Sequence, residues 1–254
     1  MTMLQRAFLP FFSLFVLISG SVSGQSLEQG ITFFNQEKYE QAETIFQNIV
    51  DGNPDNAGAL YYLGRIKFEE NDHKDALSQF EKALEQKPES ALFAMWVGNA
   101  WGRMAQSASL MRKGNYAKKC IAHYEKAIEL EPTFIEARFR AIDYYVEAPG
   151  FVGGGRDKAE AQALEVATID PKEGFMAWGI IYSFFEEEQK LVTNYESAIE
   201  AHPEFMPPYF ELFEYFYASK QFEDAAEIAK AQLTVNDTTE VIRQNLNRAL
   251  EHLE

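Results

Sequence analysis

Prolines punctuate this chain at nearly regular intervals, and that regularity restricts what it can fold into more than any other feature. Pro54 and Pro88 are 34 residues apart, and Pro132, Pro171 and Pro203 follow at intervals of 44, 39 and 32. A fixed period of this length is the signature of stacked supersecondary units. Aligned on the prolines, residues 57–90 carry Leu63-Gly64, Ala76, Phe80, Ala83 and Pro88. Residues 23–56 repeat this with Gly30, Phe33, Ala42, Phe46, Ile49 and Pro54, and residues 172–205 with Trp178-Gly179, Tyr182, Tyr195, Ala198 and Pro203. Residues 91–134 give Val97-Gly98, Trp101, Cys120, Tyr124, Ala127 and Pro132. The last unit, 206–239, keeps Leu212, Phe216, Phe222 and Ala225, and the least regular, 135–171, keeps Ala141, Tyr145, Ala159, Ala163 and Val166.

The apolar positions recur at helical spacing, two amphipathic stretches per unit. Glycine inside a helix costs about 1 kcal/mol relative to alanine. Its return at 64, 98 and 179 therefore predicts that small residues let the paired backbones approach while a large ring fills the space alongside. Proline after the second stretch stops the helix. One pair cannot bury both of its apolar faces, so neighbours must stack.

In the glycine, alanine, aromatic and proline positions, over residues 24–239, the sequence resembles the tetratricopeptide repeat (TPR) family. The resemblance implies an all-α, right-handed α-solenoid of about six helix pairs. Residues 239–253 are expected to add a C-terminal capping helix, with Val241, Leu246, Ala249, Leu250 and Leu253 on one face.

Two units depart from the pattern. Residues 105–115 are an insert of about ten residues, read as a lengthened hairpin whose first helix runs to about Lys113, with Gly114-Asn115 as stop and turn. Residues 149–155 form a glycine-rich turn. Gly150 to Gly155 has the spacing of a phosphate-binding loop, but Arg156 and Asp157 stand where Lys and Ser or Thr are required, and no strand precedes it. A wide turn is expected there, with Asp157 capping the next helix and Glu160 completing a capping box, and with Phe151 and Val152 available to fold onto the insert. The combination is similar to that of exported bacterial TPR-domain proteins.

The first 24 residues have one basic residue, Arg6, no acidic residue, an apolar run from Ala7 to Ile18, and then small polar residues. This reads as a secretory signal peptide with Val22 and Gly24 before the cleavage point, so residues 25–254 would form the solenoid and the protein would be periplasmic or secreted. No Cys follows the run to anchor a lipid. The single cysteine, Cys120, excludes an internal disulfide.

The chain carries a formal charge of −16, or −17 without Arg6. A field of that sign disfavours nucleic acid and motivates a protein or peptide partner with a basic surface. No catalytic constellation is present. The four histidines, His73, His123, His202 and His252, lie in different units without ligand spacing, so neither a metal nor another cofactor is expected. Cys120 stands at an alanine position and is expected to be a buried small side chain.

The TPR resemblance implies that the first helix of each unit lines a concave surface. Carried over position by position, the groove residues are Tyr61, Arg65, Phe68, Met95, Asn99, Arg103, Phe139, Asp143, Val146, Met176, Ile180, Phe210, Glu214 and Tyr217. Arg65, Asn99 and Arg103 could take a carboxylate or an extended peptide backbone. The leading expectation is an exported scaffold or adaptor without enzymatic activity. The alternative is a solute-binding accessory protein of an envelope transporter, enclosing a small ligand.

Overall fold

The computed structural model describes residues 26–235 and 240–253, and all regular structure among them is helical. The leader and its cleavage point lie outside the described residues. Six helix pairs follow in order: α1 (Leu27–Asn35) with α2 (Tyr39–Gly52), α3 (Ala57–Glu69) with α4 (His73–Gln86), α5 (Ala91–Ser107) with α6 (Leu110–Leu130), α7 (Ile135–Glu147) with α8 (Arg156–Ile169), α9 (Pro171–Phe184) with α10 (Glu188–Ala201), and α11 (Pro207–Ala218) with α12 (Phe222–Val235). A thirteenth helix, α13 (Glu240–Leu250), packs on α12 and closes the stack. This is the expected α-solenoid. None of the described helices is long and apolar enough to cross a membrane.

Local chemistry sets the helix ends. The side chains of Ser26, Asn56, Asp72 and Ser90 accept hydrogen bonds from backbone N–H groups three residues on, supplying partners that the first turn of a helix lacks. Pro54, Pro88, Pro132 and Pro203 stand just past the second helices. Pro171 differs: it is the first residue of α9, and Asp170 serves both as the end of α8 and as the cap of α9.

The glycines do what their spacing requires. A side chain at Gly30 would strike Phe46, one at Gly64 would strike Phe80, one at Gly98 would strike Tyr124, and one at Gly179 would strike Tyr195. Phe46 and Phe80 are wholly buried, which is worth about 1.5–3 kcal/mol for each such ring. The buried side chains run along the stack. Val50 and Tyr62 touch both the Phe34–Ile66 cluster and the central one, which extends to Ile181, and a third cluster reaches Ala249.

Four pairs share one backbone link that the sequence does not advertise. Glu37, Asn71, Glu186 and Lys220 take positive φ values of 56–62° between first and second helix. In each, the next residue's N–H donates back to a carbonyl five residues earlier, as from Lys38 to Phe33 and from Gln221 to Phe216, which ends the first helix in a Schellman-type turn.

The two irregular pairs lack that link, and here the structure departs from expectation. The turn of the third pair is at Ala108-Ser109, not Gly114-Asn115, so α5 ends at Ser107 and Gly114 lies inside α6. The inserted residues thus lengthen the second helix more than the first. α6 runs through Gly114 beside Val152: a Cβ on Gly114 would be 3.5 Å from that side chain, an ordinary contact. Val152 folds in and is buried, whereas Phe151 points outward and is 80% exposed.

In the fourth pair Asp157 does not cap. Gly155 is the residue before α8, and no side chain caps that end. Glu160 instead accepts from Arg156 at 2.7 Å. Gly153 needs its freedom at φ 105°, and a Cβ on Gly154 would collide with the Ala148 carbonyl.

Candidate functional site

First helices of successive units touch at α1–α3, α7–α9 and α9–α11, while second helices come together less, so the stack curves toward the first helices. The inner surface carries three sectors with different chemistry.

The first sector is aromatic and cationic. The Arg65 guanidinium lies 4.0 Å from the centroid of Trp96 and 5.1 Å from that of Phe34, and donates to the Tyr61 hydroxyl at 3.0 Å. Glu69 is 3.8 Å away, beyond close pairing. Phe68 packs edge-on against Trp96 at 5.3 Å, and exposed Arg103 reaches over Phe68 at 5.9 Å. Arg103 meets Gln106 but no carboxylate among the described residues.

The middle sector holds Asn99 and Asp143. The Asn99 side-chain oxygen accepts from the Tyr124 hydroxyl at 2.8 Å, so half of its amide is committed to the fold. Burial, with nearby Glu147 in support and Arg140 opposing, raises the Asp143 carboxyl above the ordinary range.

The third sector is a cleft of about 510 Å³ lined by Phe139, Glu173, Met176, Gly179, Ile180, Ser183, Tyr195, Pro207 and Glu211. Its walls are mainly apolar and its rim is acidic. Partial burial, then Asp170, raises the Glu173 carboxyl, and partial burial, then Glu214, raises that of Glu211. Neither Glu173 nor Glu211 forms an ion pair among the described residues.

The structure redistributes the residues expected in the groove. Arg65, Phe68, Arg103, Phe139, Met176 and Ile180 are on the inner surface. Met95 is completely buried, and Val146 and Tyr61 are 8% and 7% exposed, so these three belong to the core. All three belong to the central apolar cluster, and Tyr61 lies stacked on Phe93 of the next pair at 5.1 Å. Phe210 is not among the residues lining the cleft; Pro207 and Glu211 of the same helix are. Glu214 and Tyr217 are occupied by the capping helix and the turn after it: Arg248 donates to Glu214 at 3.2 Å and lies over Tyr217 at 4.4 Å, and the Tyr217 hydroxyl meets His252, just past the helix, at 3.1 Å.

Sequence reasoning missed Phe34, Trp96, Glu173, Tyr195, Pro207 and Glu211. A signal existed for three. Glu173 precedes Met176 and Ile180 by one and two helical turns, and Pro207 and Glu211 are likewise one turn apart.

The glycine-rich turn spends four successive N–H groups on its own backbone. The N–H groups of Val152, Gly153, Gly154 and Gly155 donate to the carbonyls of Pro149, Gly150, Pro149 and Tyr145. Arg156 grips Glu187 with two hydrogen bonds at 3.1 and 2.9 Å. Cys120 is buried at the alanine position, and burial pushes its thiol up to about 11, away from nucleophilic use.

Comparison with known proteins agrees with this architecture. The family model for the tetratricopeptide repeat matches residues 27–91 and 66–119. Tetratricopeptide repeat protein 37 of Xenopus laevis is 28% identical over 184 residues, which is 69% of this chain but 11% of that protein. The chain thus spans about a tenth of that relative. Among solved structures, the thermophilic TPR protein TTC0263 of Thermus thermophilus superposes with a TM-score of 0.57 at 20% identity, covering 82% of this chain and 97% of that one. YrrB, described as a TPR protein with an unusual peptide-binding site, superposes at 0.50 and 21% identity over 72% and 87%. At such identities these structures share the fold alone.

Proposed function

Since this chain is a tetratricopeptide-repeat protein, we propose that it is an exported scaffold whose inner surface binds an extended peptide or protein segment bearing basic side chains. The observation that carries the reading is the third sector: two carboxylates without ion pairs stand over an apolar cleft bounded by Phe139, Met176, Ile180 and Pro207. An aliphatic stem with a cationic head, as in lysine or arginine, matches both parts, since such side chains lay the stem on apolar surface and keep the charge at its edge. Arg65 and Arg103, at the far end of the groove, supply the opposite charge for a carboxylate in the same ligand. Charge of both signs along one groove fixes the direction in which a segment lies, so it contributes specificity as well as affinity. Export rests on the leader pattern of residues 1–24, and the acidic remainder of the chain suits a basic partner.

The test is a titration of fluorescent peptides that are basic, neutral or acidic but otherwise matched. Basic peptides should bind, weaken as salt approaches about 0.5 M, and lose about tenfold or more in affinity to Glu173→Lys/Glu211→Lys. Equal binding of all three peptides, or no loss in that variant, would refute the reading.

A further inference from the structure

The α5–α6 pair carries a second anomaly that the groove does not absorb. From Ser90 to Tyr124 there are five basic residues, Arg103, Arg112, Lys113, Lys118 and Lys119, and not one acidic residue, in a chain whose net charge is −16. At the tip of this pair Leu110 and Met111 are 90% and 97% exposed. Isolated exposed apolar residues are ordinary. Two adjacent ones at the start of a helix, followed at once by two exposed cations, are not. Arg112 and Lys113 also sit in the first turn of α6, where the helix dipole favours anions. Local stability therefore does not account for this sequence, which is the mark of a surface kept for contact.

The tip and the cleft are complementary. One projects two apolar side chains backed by cations; the other recesses an apolar floor rimmed by carboxylates, in a volume of about 510 Å³ suited to a few side chains. Within one copy they do not meet, because Leu110 and Met111 are almost fully in solvent.

We propose that the α5–α6 tip of one copy docks in the Glu173/Glu211 cleft of a second copy. Leu110 and Met111 enter between Phe139, Met176 and Ile180, and Arg112 and Lys113 meet Glu173 and Glu211. The contact is head-to-tail, so the second copy's tip stays free and growth continues into chains rather than stopping at a symmetric dimer. This inference rests on the reading of the groove as a binding surface and names one occupant for it.

Sedimentation velocity on the purified chain, with a tip variant (Leu110→Ser/Met111→Ser/Arg112→Glu/Lys113→Glu) and a cleft variant (Glu173→Lys/Glu211→Lys), tests it. All four tip positions are solvent-exposed, and circular dichroism verifies that both variants are folded. The wild-type mass should rise with concentration and fall back with salt. Each variant alone should be monomeric, whereas their mixture should form a pair of two chains and nothing larger, since it retains one good tip and one good cleft. Wild type that stays monomeric throughout, or a tip variant that associates undiminished, overturns the proposal. So does a wild-type monomer whose tip instead binds anionic vesicles. Basic-peptide binding by the tip variant is measured in parallel: if it persists while wild type is monomeric, self-docking fails and the groove reading stands.

Discussion

A methyl group placed on Gly64 would lie 2.6 Å from two carbons of the Phe80 ring, closer than carbon atoms can approach. The pair is sixteen residues apart, as are Gly30 and Phe46 and Gly179 and Tyr195; Gly98 and Tyr124 are twenty-six apart because the third unit carries its insert between them. Gly64→Leu should therefore destabilise by about 3 kcal/mol through overpacking. Combining it with Phe80→Ala should restore part of that loss. Urea unfolding of both single variants and the double variant measures the coupling, and additive losses would refute the packing.

That spacing is why the fold was legible. The small residue, the ring and the proline each have one structural task, repeated at one register, so agreement across units outweighs the noise in any single one. Where a unit departed, the same logic failed. Gly114-Asn115 has the residues of a stop, but glycine is only disfavoured inside a helix, not forbidden, and α6 runs straight through it. The groove was half legible for a related reason. Periodicity identifies the inner face of a helix, but it cannot show that Met95 is completely buried, or that Arg248 of the capping helix and His252 just after it occupy Glu214 and Tyr217. Nor could it bring Glu173 and Glu211, 38 residues apart, to one rim.

Lys220 holds a φ of 61°, a region in which a side chain is strained. Lys220→Gly should stabilise by about 0.5–1 kcal/mol while keeping the backbone bond from Gln221 to Phe216. Asn71→Gly should gain less, since asparagine tolerates this conformation better. An increase in urea midpoint at unchanged slope verifies the effect.

Gln232 is wholly buried in α12, and neither polar atom of its side chain has a partner among the described residues. Removing the unmet hydrogen-bonding demand with Gln232→Met, a side chain of similar size, should stabilise by about 1–2 kcal/mol. A loss of stability would show that the amide is satisfied in solution.

Binding of a basic peptide should depend on pH in a defined direction. Partial burial raises the carboxyls of Glu173 and Glu211, so they protonate at higher pH than ordinary glutamates. A cationic ligand prefers the ionised form, so affinity should be full near neutrality and fall as pH drops through the raised values, before most surface carboxylates titrate. In Glu173→Gln/Glu211→Gln that part of the profile should flatten along with the loss of affinity. Isothermal titration at a series of pH values provides the comparison.

The most direct test is methyl NMR of the chain labelled at methionine and isoleucine during titration with a lysine-rich peptide. The account predicts saturable shifts at Met176 and Ile180, with the buried Met95 methyl unmoved. Shifts confined to methyls outside the cleft, with Met176 and Ile180 silent at saturation, would contradict it.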